Sequence, residues 1–142
     1  MNVPNNNKVS ELREPKTKIV GKYKTIVDEK LNEEHKYKNI TINNISFFQY
    51  EKSYIFEMTV ENKSQETFSA EDTYLVFYTN TEKEIGKITF TSPALEPGTI
   101  EDIIIEIKDS KFFSACDFRL KESKQKPFSQ EENKTPQPDA VG

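Results

Sequence analysis

One cysteine, one histidine, four glycines and no tryptophan in 142 residues remove several functions at once. A lone Cys116 cannot close an intrachain disulfide. Cys116 and His35 also cannot supply the paired soft ligands of a zinc site. Four glycines do not build a phosphate-cradling loop. No run approaches the roughly 18–20 apolar residues that span a bilayer. The opening Met1-Asn2-Val3-Pro4-Asn5-Asn6-Asn7 has no apolar signal region. That is expected of a cytosolic protein, or of a chain that starts after a removed signal or anchor.

Apolar residues are also scarce, at 34%. Part of the length is therefore expected to pack nothing, and both ends look like that part. Charge is divided unevenly. Residues 1–38 carry +3, residues 39–120 carry −7, and residues 121–142 are neutral. An acidic central region repels a phosphate backbone, which argues against nucleic-acid binding. The basic amino-terminal charges are interleaved with acids and read as a solvated linker.

What is present is a two-residue rhythm. In Ser53–Ser64, Tyr54, Phe56, Met58 and Val60 point one way and Glu57, Thr59 and Glu61 the other. Asn62-Lys63-Ser64 then supplies turn chemistry, so the stretch reads as a strand with one buried and one wet face. Ile40 and Ile42 share one face while Ile45 and Phe47 share the opposite one. The switch near Asn43-Asn44 predicts a bulge or a change of sheet. Further strands are expected at Thr73–Tyr78, Ile85–Thr91, Ile100–Ile107 and Ala115–Lys121, with Cys116, Phe118 and Leu120 inward. Thr73–Tyr78 is apolar on both faces, which predicts a central strand covered on both sides or one with an exposed aromatic face. Pro97-Gly98 fits the middle of a type II turn. Thr17–Val20 is a candidate edge strand. Residues 23–37 approach helical spacing and are compatible with one short helix. His35 lies there among charges and reads as a surface residue. Cys116 reads as a small core residue.

The expected fold is all-β: a small antiparallel immunoglobulin-like β-sandwich over 39–122. Residues 1–38 are expected as linker or weakly ordered chain and 123–142 as a disordered tail. Three elements then resemble bacterial surface domains of the FxLYD-type and DUF4352-like immunoglobulin-fold group. They are Ile40–Ile45, the Val60-Glu61-Asn62-Lys63-Ser64 stretch matching "V-x-N-x-S", and Tyr74–Tyr78 followed by Gly86 and Leu95-Glu96-Pro97-Gly98. The resemblance covers roughly 39–107. Where those families carry Tyr-Asp this chain has Tyr78-Thr79, and Glu82–Gly86 replaces their Asp-x-x-Gly turn. The resemblance implies a non-enzymatic module, secreted or in the cell envelope, with no catalytic residues to carry over.

No catalytic, metal or cofactor constellation stands out in the sequence. The acid pairs Glu71-Asp72 and Glu101-Asp102, with Asp109, lack calcium-loop spacing and read as solvated carboxylates. The Asn-x-Ser/Thr matches at Asn39, Asn44, Asn62 and Asn133 are what an asparagine-rich chain produces by chance. The aromatics are the best lead. With period two some must face outward, and Phe48, Tyr50, Tyr74 and Tyr78 are the candidate binding patch. Two readings follow. One is an envelope or extracellular module that binds a protein partner or acts as a spacer. The other is a cytoplasmic adaptor that binds through the aromatic face or an edge strand.

Overall fold

A computed structural model describes residues 11–123. The expected tail, apart from its first residue, and residues 1–10 lie outside the described region. The strands are β1 (Thr17–Val20), β2 (Tyr23–Ile26), β3 (His35–Tyr37), β4 (Ile40–Tyr50), β5 (Ser53–Glu61), β6 (Thr73–Tyr78), β7 (Glu84–Thr89), β8 (Ile100–Ile107) and β9 (Asp117–Glu122). A single helical turn, α1 (Glu29–Asn32), follows β2, and a 3-10 turn, Ser110–Ser114, precedes β9.

These form an all-β sandwich of two antiparallel sheets. The larger runs β1-β2-β4-β5-β8, and the smaller runs β7-β6-β9. Because β5 occupies one edge of β4 along its length, β2 and β3 share the other. β3 pairs with its first half and β2 with its last. The core lies between the sheets, centred on Phe47, Phe56, Phe77 and Phe118, all fully buried. Their rings meet mostly edge to face at 5.1–6.1 Å, the arrangement that aromatic quadrupoles favour.

The bulge falls where the apolar pattern changes phase. The β4–β5 register shifts between Asn43 and Ser46, with Asn44 at φ +52°. Asparagine tolerates that left-handed backbone better than a branched residue would. The extra residue turns Ile45 and Phe47 back to the face of Ile40 and Ile42, so all four are buried.

Residues 11–38 differ most from the linker expectation. β1 and β2 form a hairpin through Gly21 at φ +61°, and β2 and β3 both pair with β4. The short helix is one turn, because Thr25, Ile26 and Val27 favour extended backbone. Ile26 and Leu31 are completely buried, so the segment closes one end of the sandwich. His35 is likewise not a surface residue. Its ring stacks on Phe118 at 4.0 Å, and only 12% of its side chain is exposed. A histidine among charges in sequence was placed by β3 pairing, which the local charge pattern does not report.

The two turn motifs meet in space. Asn62 is fully buried and its amide nitrogen donates to the carbonyls of Glu66 and Leu95, both at 2.7 Å. Its side-chain oxygen accepts from the Ser64 backbone N–H at 2.9 Å and the Ser64 hydroxyl at 2.7 Å. Its backbone carbonyl accepts from Gly98 N at 2.8 Å, and Thr99 N donates to Glu96 O across the Pro97-Gly98 turn at 3.0 Å. Gly98 holds φ +84°, as a type II turn requires. Asn62 thus ties the end of β5 to the entry of β8, and its amide nitrogen is committed inside the fold.

Candidate functional site

The four sequence-selected aromatics do not form one patch. Phe48 and Tyr50 alternate with buried Phe47 and so face away from the core on the large sheet. Tyr74 and Tyr78 alternate with buried Leu75 and Phe77 and face away on the small sheet, across the sandwich. The two pairs have different surroundings.

On the small sheet, β6 is the central strand, and its outer face is roofed by its neighbours. Val76 is opposite both Lys87 and Arg119. The Arg119 guanidinium sits 4.4 Å from the Tyr78 ring centroid, Lys121 5.6 Å from the same ring, and Lys87 5.4 Å from that of Tyr74. These long side chains lay apolar stems over the strand and keep their charges in water. Val76 and Tyr78 are only 3% and 5% exposed as a result. The Tyr78 hydroxyl is buried without a hydrogen-bond partner among the described residues. Tyr78 is therefore a structural residue.

On the large sheet the neighbours are short. Phe48 is opposite Thr25 and Ile55, and Tyr50 opposite Ser53. No long side chain roofs them. Tyr23 joins the pair, with its ring 5.1 Å from Phe48 and 5.4 Å from Tyr50, and is itself 42% exposed. Further across the same face, Ile104 on β8 is 67% exposed. Tyr23, Phe48, Tyr50, Ile55 and Ile104 make an apolar strip on an outer sheet face, edged by Glu57, Asp102 and Glu106. Sequence reading missed Tyr23 because residues 23–37 looked helical. The signal was present as alternation in Tyr23-Lys24-Thr25-Ile26, too short to stand out.

A second feature is a polar groove of about 680 Å³ where residues 11–16 cross the end of the sandwich. The Arg13 backbone N–H donates to Asn80 Oδ1, and Asn80 Nδ2 donates to the Glu11 carbonyl. The Arg13 guanidinium forks onto Asp28 at 2.7 and 3.2 Å, and Lys16 N donates to the same carboxylate at 2.7 Å. Burial alone would raise the Asp28 carboxyl, but Arg13 and the Lys16 N–H outweigh it and hold it below the ordinary carboxylate value. Asp117, beside His35 and Arg119, is shaped the same way: burial pushes up, its hydrogen bonds pull further down. Stability from both carboxylates is fully present above their unfolded-state value and is lost as pH falls through the folded-state one.

Cys116 lies beneath this strap. Burial, reinforced by the charge of Asp28, pushes its thiol up to about 11, so it is protonated at neutral pH. Arg13 Nη1 lies 3.8 Å from its sulfur. Of the groove's charged groups, Arg13, Asp28, Glu82 and Asp117 are occupied with one another or with Arg119. The acid pairs sit apart: Asp102 accepts from Thr59 on the large sheet, Glu71-Asp72 lead into β6, and Asp109 caps the 3-10 turn. Among the described residues no three His, Cys, Asp or Glu side chains are grouped to hold a metal ion. No helix among them is long and apolar enough to cross a membrane.

No family model, curated protein or solved structure matches this chain.

Proposed function

We propose that this chain is a non-enzymatic, immunoglobulin-like module of the bacterial cell envelope or secreted fraction. Its role is to bind a protein partner, or to space other parts of a larger assembly. The observation that carries the binding reading is the unroofed strip Tyr23, Phe48, Tyr50, Ile55 and Ile104. Aromatic and aliphatic side chains left open on one sheet face, with a charged rim, are the composition of a protein-contact surface. The envelope assignment rests on the resemblance to FxLYD-type domains.

The alternative, a cytoplasmic adaptor, is favoured by a separate observation. β1 and β8 each have a neighbour on only one side among the described residues, and an unpaired strand edge can accept a strand from a partner.

The test combines fractionation with site-specific crosslinking in the cells that encode the chain. A photoreactive residue at position 48 or 104 should label one partner that the same probe at position 63 or 83 does not. A native product confined to the soluble cytosol rules out the envelope assignment. Equal labelling from both sets of positions rules out the strip as the contact.

A further inference from the structure

The β1–β2 hairpin has a property the rest of the molecule lacks. Residues 15–27 hold Lys16, Lys18, Lys22 and Lys24 and no acid, whereas residues 39–120 carry −7. None of these four ammonium groups makes an ion pair with a described residue. Exposed apolar side chains gather in the same place. Ile19, Val20 and Tyr23 at its tip are three of the seven large apolar residues left exposed among those described. Every residue of β1 is exposed, and the exposure is two-sided: Val20 lies on the outer sheet face with Tyr23, and Ile19 on the other.

We infer that the tip of this hairpin docks on an anionic lipid bilayer. Charge complementarity carries the inference: unpaired lysines face anionic headgroups while the acidic body is repelled, which fixes which end points at the surface. Ile19 and Val20 immediately precede the Gly21-Lys22 turn and can enter the headgroup layer together. A partner strand added to β1 would cover one edge and leave Val20 and Ile19 wet on opposite faces. A bilayer covers both at once. Lysine side chains are long enough to carry their charge to the headgroups while the apolar tip enters the interface. The inference shares only Tyr23 with the protein-binding strip and stands on Lys18, Lys22, Ile19 and Val20, which the strip does not include.

The experiment is co-sedimentation of the full chain with vesicles of equal parts phosphatidylglycerol and phosphatidylcholine, and with phosphatidylcholine alone. Binding is expected only to the anionic vesicles and should vanish in molar salt. Each surface lysine removed weakens such binding about fivefold, so Lys18→Glu with Lys22→Glu should lower the partition coefficient about 25-fold or more. Lys63→Glu with Lys83→Glu changes net charge equally in loops of the body and should lower it less than about threefold. Ile19→Ser with Val20→Ser, which keeps every charge, should cost about tenfold. All three variants alter exposed positions and should keep the parent melting temperature, so lost binding is not lost folding. The inference is overturned by equal partition onto neutral vesicles, by no partition at low salt, or by equal losses from the two lysine pairs. It is also overturned if an Asp/Glu-rich extended peptide binds the hairpin while the anionic vesicles do not.

Discussion

The outer faces of the two sheets start from similar sequence. β6 presents Tyr74, Val76 and Tyr78, and β4 presents Phe48 and Tyr50, in the same alternation. On β6 Tyr78 is opposite Glu84 and Asp117, and Tyr74 is opposite Thr89 and Lys121. Arg119 and Lys121 reach diagonally over the Tyr78 ring and bury it, while Lys87 leaves Tyr74 half-buried. On β4 the opposite residues are threonine, serine and isoleucine, and Phe48 and Tyr50 stay partly exposed. What decides whether an outward aromatic becomes a surface is whether a long basic side chain on a flanking strand, opposite or diagonal to it, reaches over the ring. An aromatic in a strand is a binding candidate only after its cross-strand partners are known.

The largest expected effect separates the two faces by stability. Tyr78→Ala should cost about 3–4 kcal/mol, as for a buried core aromatic, while Tyr50→Ala should cost about 1 kcal/mol or less. Urea unfolding of both variants measures the difference, and equal costs would break the comparison. Tyr78→Phe sharpens it. It removes a buried hydroxyl that has no partner among the described residues, so stability should hold or rise by up to about 1 kcal/mol.

Next is the closed end beneath the small sheet. The Cys116 thiol is held at about 11 against an ordinary 9.0. A raised pKa of this kind favours folding below the unfolded value and is lost as pH climbs toward the folded one. Between those two values the parent should lose about 2 kcal/mol more than Cys116→Ala. Parallel pH-dependent unfolding curves for the two proteins would contradict the burial.

Smaller effects probe the roof itself. Arg119→Ala should cost about 1 kcal/mol, since its guanidinium is partly solvated. It should also raise the reactivity of the Tyr78 ring toward iodination. Lys18→Ala on the large sheet, which roofs nothing, should change stability by under about 0.5 kcal/mol.

Much of the fold was legible because period-two patterning is a one-dimensional signal. The Asn43-Asn44 phase change announced the bulge, and Pro97-Gly98 announced its turn. What was not legible depended on pairing between distant residues. The candidate edge strand at Thr17–Val20 is there as β1, but β2 and β3, four and three residues long, fall below the length at which alternation rises above chance. His35 acquires its place on Phe118 only when β3 pairs with β4. The aromatic set was half legible: outwardness of Phe48 and Tyr50 follows from parity, but the roof over Tyr78 comes from Arg119 and Lys121 on another strand. Gly86 is similar. An added Cβ there would come within 2.9 Å of the Phe112 ring, a contact between β7 and the 3-10 turn that no local pattern reports.

Hydroxyl-radical footprinting, resolved residue by residue, tests the contrast between the sheet faces most directly. The account predicts oxidation of Tyr23 and Ile104 several-fold faster than their small-sheet counterparts, with Tyr78 and Val76 near the background of the core phenylalanines. Tyr78 oxidising as fast as Tyr23 in the native protein would contradict it.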